Sequence, residues 1–134
     1  MKEHKEVEKI IQRQTLLFCG TEATHIVMGR VIGGNRFTDP KRRIAALRVN
    51  SGTLRDERGI PVSYGSPGFP DMVACICGRF VGIEFKSAGE KQTSNQIAWQ
   101  AAIEDAGGVY VVVDSFSYAQ QIITGMVEKG KDVE

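Results

Sequence analysis

The sequence contains few residues that bind zinc or form disulfides: two histidines, His4 and His25, and three cysteines. Because an ordinary zinc site takes about four cysteine or histidine ligands, that class of metal site is not expected. The number of cysteines is odd, and Cys75 and Cys77 alternate along an apolar segment, so their side chains should point the same way. We therefore expect reduced thiols in the core, and favour this reading over a metal site.

The chain also lacks a long apolar run. It has no stretch of about eighteen apolar residues, as a membrane-spanning helix would need, and residues 1–6 are too charged for a signal peptide. A length of 134 residues with 42% hydrophobic and 25% charged residues suits one domain with its own core. We expect a single domain over residues 1–134, in the cytoplasm and without a membrane partner.

The formal net charge is only +1, but the charges are unevenly distributed. The segment from Arg30 to Arg58 holds eight lysines and arginines against three acidic residues. Such a surplus could meet phosphate groups. A solvated basic loop explains the same charges equally well.

Before residue 47 the sequence predicts helices separated by a flexible turn. A helix is expected over residues 3–19, with an apolar stripe at helical spacing that faces the core. The stripe consists of Val7, Ile10, Ile11, Leu17 and Phe18. Gly33-Gly34-Asn35 predicts a flexible turn, and Asp39-Pro40 predicts the start of a short basic helix over 41–47.

After residue 47 short strands dominate the pattern. Strands are expected at 47–50, 61–64, 72–77, 80–85 and 109–113, with a tight antiparallel hairpin at Gly78-Arg79. Thr93 or Ser94 should cap a helix that runs to about residue 106, and a last helix is expected over 117–128. The order of elements predicts an α/β fold in which helices flank a mixed sheet.

Two carboxylates and a lysine interrupt the predicted hairpin. Asp71 starts its first strand, and Glu84 and Lys86 end the second on one side of the strand. Hydrolysis of a phosphodiester needs hard divalent cations such as Mg²⁺ or Mn²⁺, which take oxygen ligands. Asp71, Glu84 and the Phe85 backbone carbonyl can supply such ligands, and Lys86 can orient water or offset transition-state charge.

The same residues also form a common surface pattern, and on their own they do not identify a nuclease. Two features favour the functional reading. Asp71 follows a constrained loop, Gly65-Ser66-Pro67-Gly68-Phe69-Pro70, and Glu84 and Lys86 lie in an otherwise apolar strand.

The motifs around these residues resemble a known family. They occur in order over about residues 47–116, with a weaker match in the first helix: Arg48-Val49-Asn50-Ser51-Gly52, Gly65-Ser66-Pro67-Gly68-Phe69-Pro70-Asp71, Gly82-Ile83-Glu84-Phe85-Lys86, Ser94-Asn95-Gln96-Ile97-Ala98-Trp99 and Gly107-Gly108. This series resembles the virus-type replication-repair nuclease (VRR-NUC) domain of the PD-(D/E)xK, or restriction-endonuclease-like, superfamily. The resemblance implies an αβββαβ core, with a basic insertion at about 20–47.

By this resemblance Asp71, Glu84 and the Phe85 carbonyl would bind Mg²⁺ or Mn²⁺, and Lys86 and Gln96 would assist catalysis. Gln96 as an exposed structural residue is the alternative. The family also places a glutamate on its first helix, facing the site, for which we choose Glu8 as a catalytic residue and further metal ligand; Glu3 and Glu6 lie nearby, and a solvated carboxylate is the other reading. The residues expected to contact DNA are Arg42, Arg43, Arg48, Asn50, Ser66 and Lys91.

The resemblance implies a DNA endonuclease acting on branched, flapped or junction DNA in phage replication, repair or recombination, in the bacterial host cytoplasm if phage-encoded. It also implies a homodimer, with a helicase or another replication protein as a further partner. Two alternatives remain open: a non-catalytic DNA-binding or packaging accessory on the same fold, and a structural α/β domain that binds protein. The second alternative, a protein-binding α/β domain, leaves the basic segment from Arg30 to Arg58 unexplained.

Overall fold

The computed structural model describes residues 2–49 and 52–131. Three helices and eight strands make up this part of the chain, in an order that begins with a helix and ends with one. They are α1 (Lys2–Cys19), β1 (Thr21–Val27), β2 (Arg30–Asp39), β3 (Ile44–Arg48), β4 (Gly52–Arg55), β5 (Pro61–Tyr64), β6 (Met72–Ile76), β7 (Arg79–Phe85), α2 (Ser94–Asp105), β8 (Val109–Val113) and α3 (Phe116–Lys131).

Six of the strands form one mixed sheet in the order β1-β2-β3-β6-β7-β8. Neighbouring strands are antiparallel except β7 and β8, which are parallel and joined through α2. Strands β4 and β5 pair only with each other and form a separate two-stranded hairpin between β3 and β6. The expected α/β class with a mixed sheet and flanking helices is confirmed.

Helices cover the two faces of the sheet unequally. On one face α1 and α3 pack over alternate residues of the strands, with Val81, Ile83 and Phe85 of β7 in the main core cluster. On the other face α2 covers the β7–β8 end, where a Cβ at Gly82 would lie 3.6 Å from Ile103. Glu84 lies on this second face, because side chains alternate along a strand. No helix among the described residues is long and apolar enough to cross a membrane.

The N-terminal third differs most from expectation. Helix α1 is present, but Ile11 alone of the predicted stripe is fully buried; Val7, Ile10 and Leu17 are exposed. Because α1 lies on the surface of the sheet, its buried side is instead centred on Ile11, Thr15, Leu16 and Cys19. The prediction that the whole stripe faces the core was wrong.

The predicted turn at 33–35 and helix at 41–47 are also wrong. Gly33-Gly34-Asn35 lies within β2, and a Cβ at Gly34 would stand 1.8 Å from the Ala23 carbonyl oxygen, so glycine permits the close approach at a register shift in β1. Asp39 Oδ1 accepts N–H groups of the 40–43 turn, and residues 44–48 alternate between buried and exposed as strand β3 between β2 and β6. The strand expected at 47–50 therefore starts earlier.

Strands β1 and β4 were not predicted, whereas the elements from β5 onward are close to their predicted positions. The β6–β7 turn consists of Cys77-Gly78, one residue earlier than expected, and both residues have positive φ, as a two-residue type I′ hairpin requires. Cys75 is exposed on the uncovered part of the sheet and Cys77 is half-buried in the turn, so only Cys19 is a buried thiol. The expectation that Cys75 and Cys77 are core residues was wrong.

Candidate active site

The β6–β7 hairpin brings Asp71 and Glu84 together at its open end. The antiparallel register pairs Met72 with Ile83, which places Asp71 opposite Glu84 just beyond the first residue of β6. The Asp71 N–H donates to Glu84 Oε2 at 3.2 Å, and the Phe85 N–H donates to Asp71 Oδ2 at 2.9 Å. Backbone pairing of two short apolar strands is therefore sufficient to join the two carboxylates.

Three other parts of the chain hold Asp71 in place. Its carbonyl oxygen accepts the Gln12 side-chain amide and the Val49 N–H, each at 3.0 Å. The preceding loop turns at Gly68, whose φ is +82°, and a Cβ there would lie 2.4 Å from the Asn95 backbone. Only glycine lets this loop pack so closely on α2, and the loop thereby fixes the direction in which Asp71 enters β6.

Gln96 reaches the carboxylate pair from the first turn of α2. A capping box with Thr93 holds it: the Thr93 hydroxyl accepts the Gln96 N–H at 3.2 Å, and Gln96 Oε1 accepts the Thr93 N–H at 2.9 Å. The remaining side-chain amide, Nε2, donates to Glu84 Oε1 at 2.5 Å. Gln96 is buried, which excludes the reading of an exposed structural glutamine.

Lys86 lies on the same side of β7 as Glu84. Its N–H donates to the Val113 carbonyl in the parallel β7–β8 pair at 2.9 Å. The side chain is 13% exposed, and Nζ lies 4.0 Å from Glu90 Oε2. Its positive charge lowers the pKa of both Asp71 and Glu84, against the larger effect of burial.

Glu8 faces the same region from α1. Its Oε1 accepts the Ser87 N–H at 2.9 Å and the Ser87 hydroxyl at 3.3 Å. The Ser87 hydroxyl also bonds the His4 carbonyl at 3.2 Å, so the segment after β7 is tied to the start of α1. Glu3 and Glu6 are exposed. The structure thus joins Asp71, Glu84 and Gln96 by hydrogen bonds, whereas Lys86 and Glu8 act on the two acids through their charges.

Burial and the charges of neighbouring carboxylates perturb the two central acids; Glu8 acts on Asp71, and both Asp71 and Glu8 act on Glu84. Burial raises the pKa of Glu84 to about 8, and the charges of Asp71 and, less strongly, Glu8 add to the rise. Burial also raises the pKa of Asp71, although the Phe85 N–H opposes this by stabilising the ionised form. A divalent cation between the two acids would remove this repulsion.

The donor set fits Mg²⁺ or Mn²⁺ better than a metal that needs a full protein cage. Among residues 2–49 and 52–131, no three or more histidine, cysteine or acidic side chains converge into a metal-binding group. The Phe85 N–H points at Asp71, and the carbonyl of the same residue in an extended strand projects to the same side. Two carboxylates and one carbonyl would hold a Mg²⁺ ion that keeps several water ligands, as this ion usually does in proteins.

Two residues expected to contact DNA lie far from this site. Arg42 and Arg43 are in the β2–β3 turn, where the Arg43 carbonyl accepts the Cys77 N–H at 2.9 Å. This is the other end of β6, about 20 Å from Asp71 at 3.4 Å per residue. Arg42 also forms an ion pair with Asp39, with Nε 2.7 Å from Oδ2, and its guanidinium lies over the Phe18 ring of α1. Residues 20–47, for which a basic insertion was predicted, form β1, β2 and most of β3 of the sheet.

Three other residues predicted to contact DNA, Arg48, Ser66 and Lys91, lie at the end of β3 and in the loops before Asp71 and before α2. Arg48 ends β3, and its buried Nε has no hydrogen-bond partner in the described part of the chain. Lys91 is exposed in the loop before α2. Ser66 is exposed in the loop before Asp71 and accepts the indole N–H of Trp99 at 3.2 Å. Asn50 lies outside the described residues.

Sequence reasoning missed Tyr110, which lies beside the acids on the α2 face of the sheet. Burial raises the pKa of its hydroxyl to about 12, with a further contribution from the charge of Glu84. Gln92 lies near enough to oppose that rise slightly, yet the hydroxyl has no partner with hydrogen-bond geometry among the described residues. The tyrosine in an apolar strand could have signalled a buried hydroxyl.

Comparison of the chain with protein-family models, curated proteins and solved structures found no match.

Proposed function

We propose that this protein is a Mg²⁺- or Mn²⁺-dependent DNA endonuclease. One observation carries the proposal: Asp71 and Glu84 are held together by two backbone N–H groups, although burial and repulsion raise the pKa of both. A divalent cation held by both acids would offset the cost of burying them in the ionised form. The adjacent Lys86 and Gln96 supply the other polar groups that phosphodiester hydrolysis needs.

The order of elements supports a restriction-endonuclease-like core. Two hairpins, β1–β2 and β4–β5, are additions to the remaining elements. Without them the chain reads α1, β3, β6, β7, α2, β8 and α3, and all of these except the last helix follow the αβββαβ order that the VRR-NUC resemblance implies. In this core the acids lie at the junction of β6, β7 and α2, where the resemblance expects them.

Each residue has a distinct task in the proposed reaction. The bound metal would orient the attacking water and stabilise charge on the phosphate. Gln96 holds Glu84 through its 2.5 Å contact, and the capping box holds Gln96, so the carboxylate keeps its orientation. Lys86 Nζ lies 4.0 Å from Glu90 Oε2. In the proposed reaction this ammonium group would turn from Glu90 toward the attacking water or a phosphate oxygen.

The substrate class and assembly are part of the proposal. Branched or flapped DNA follows from the resemblance, as do a homodimer and a replication partner. Within the described residues the basic segment from Arg30 to Arg58 covers β2, the β2–β3 turn, β3, β4 and the turn after β4, so its charges are spread over several elements. In this proposal they contact DNA phosphates beyond the carboxylates.

The proposal is tested by cleavage of labelled linear, single-stranded, flapped and four-way DNA with Mg²⁺ or Mn²⁺. Lys86→Ala should reduce the cleavage rate at least about a hundredfold, because the negative charge that develops on the phosphate in the transition state loses the nearby ammonium group. Lys131→Ala is the matched control, since Lys131 is exposed at the end of α3 and pairs only with Glu128 among described residues. Binding without cleavage of any substrate would favour the non-catalytic accessory instead.

A further inference from the structure

A cavity of about 350 Å³ opens between α2 and the loop that precedes Asp71. Six residues line it: Ser66, Pro67, Asn95, Ala98, Trp99 and Ala102. Its two walls belong to the two elements that lead into the proposed active site. Asn95 directly precedes Gln96 on α2, and Pro67 lies four residues before Asp71 on the loop.

The aromatic wall of this cavity is held in one orientation. The Trp99 indole N–H donates to the Ser66 hydroxyl at 3.2 Å across the cavity mouth. The Phe69 ring meets the indole edge to face, with centroids 4.8 Å apart and planes at 87°. A tryptophan fixed in this way presents a flat surface to a ligand and loses little entropy on binding.

The other walls combine small apolar groups with a few polar ones. Ala98 and Ala102 leave room above α2 that larger side chains would fill. Asn95 contributes an amide with donors and an acceptor, and its side chain is exposed. The positive end of the α2 dipole lies at the same corner and favours an attached phosphate.

We propose that this cavity binds one unpaired nucleobase of the DNA strand next to the scissile phosphate. The base would stack on Trp99, and the Asn95 amide would face its hydrogen-bonding edge. Stacking on an aromatic ring suits any base, so the cavity selects unpaired nucleotides over a duplex without reading sequence. The inference rests on the proposed function and specifies its substrate as DNA with an unpaired nucleotide at the cut.

The chain offers a direct optical test, because Trp99 is its only tryptophan. Fluorescence is recorded as a duplex, or the same duplex with a single-stranded flap, is added in Ca²⁺. The flapped DNA should quench Trp99, and the blunt duplex should leave it nearly unchanged. In parallel, anisotropy of labelled DNA should show about a tenfold tighter binding of the flapped substrate.

Variants then separate the cavity from the rest of the protein. Trp99→Ala should abolish the preference for flapped DNA and leave duplex affinity unchanged, whereas Trp99→Phe should retain most of it. Tyr118→Ala is the matched control, because Tyr118 is a similarly exposed aromatic residue on α3, across the sheet from α2. Thermal melting of each variant verifies that it is folded.

The possible outcomes distinguish the two levels of the proposal. If the wild type cuts DNA but flapped DNA does not quench Trp99, or Trp99→Ala keeps the full preference, the cavity does not bind a base and only this inference fails. If the wild type neither binds nor cuts any DNA, the proposed function fails and the inference fails with it.

Discussion

Replacing Glu84 with glutamine should change how the stability of the metal-free protein depends on pH. The folded state raises the pKa of Glu84 from its ordinary 4.5 to about 8. Between these values the folded protein binds more protons than the unfolded chain, so the free energy of unfolding falls as the pH rises from about 4.5 to 8. Above the folded pKa the loss is complete and this contribution becomes constant.

The size of this effect follows from the shift. At about 1.4 kcal/mol per pH unit the upper limit is about 5 kcal/mol, and a high effective dielectric near the mouth of the site reduces the expected loss to about 2 kcal/mol. For a domain of this size that corresponds to a fall in melting temperature of about 6 °C between pH 5 and 9.

Glu84→Gln removes the titration but also disturbs two hydrogen bonds. Glu84 accepts from both the Asp71 N–H and the Gln96 amide, and a glutamine has only one acceptor oxygen for these two donors. The variant should therefore be less stable than wild type by about 1 kcal/mol at pH 5 and more stable at pH 9. The stability curves of the two proteins should cross.

Thermal melts in a chelating buffer from pH 5 to 9 test this directly. Glu128→Gln is the control, since Glu128 is 64% exposed on α3, and it should keep the wild-type slope. A Glu84→Gln curve parallel to the wild-type curve would refute the reasoning, because Glu84 would then be an ordinary carboxylate. Adding Mg²⁺ at pH 8 should stabilise the wild type far more than Glu84→Gln.

The loop before Asp71 and the N-cap of α2 position the acids, and substitutions in each should lower the free energy of unfolding. Gly68→Ala should destabilise the protein by at least about 2 kcal/mol more than Gly89→Ala, because both have positive φ but only Gly68 has a backbone, that of Asn95, within 2.4 Å of the added Cβ. Equal losses in denaturant titration would contradict this. Gln96→Ala should cost about 2 kcal/mol, because it removes the side-chain acceptor of the Thr93 N–H and the amide to the buried acid, although the Thr93 hydroxyl still accepts the N–H of residue 96. Gln100→Ala, which loses only the bond from Gln92, should cost under about 0.5 kcal/mol. A neutral Gln96→Ala would mean that the capping box contributes little.

The part of the chain after residue 60 could be predicted because its signals are local. Cys77-Gly78 closes a two-residue hairpin, Thr93 caps α2, and Val109–Val113 is apolar throughout. The register of a tight hairpin depends on its turn, so the meeting of Asp71 and Glu84 could be anticipated from sequence. Their metal-binding role is still a prediction.

The first third could not be predicted because long-range pairing overrides its local pattern. Ile44–Arg48 follows a proline turn and carries helix-forming residues, yet β2 and β6 on either side make it a strand. On α1 the apolar residues occupy more than one face, and nothing in the sequence says which face meets the sheet.

The cavity beside Trp99 illustrates the same limit on the functional side. Ser66 and Trp99 are 33 positions apart in sequence and become neighbours only when the loop before Asp71 packs on α2. The sequence motifs contain both residues but do not indicate an empty space between them. Such a space depends on how Gly68 lets the loop approach α2, and only the folded structure shows this.

The most direct measurement of the central claim is the rate at which the purified protein cuts labelled flapped DNA in Mn²⁺, compared between wild type and Asp71→Asn. Asp114→Asn is the matched control, because Asp114 is an exposed aspartate just after β8. The account predicts cleavage by the wild type and by Asp114→Asn, and a rate at least about a hundredfold lower for Asp71→Asn. Equal rates for all three proteins, or no cleavage by the wild type, would contradict it.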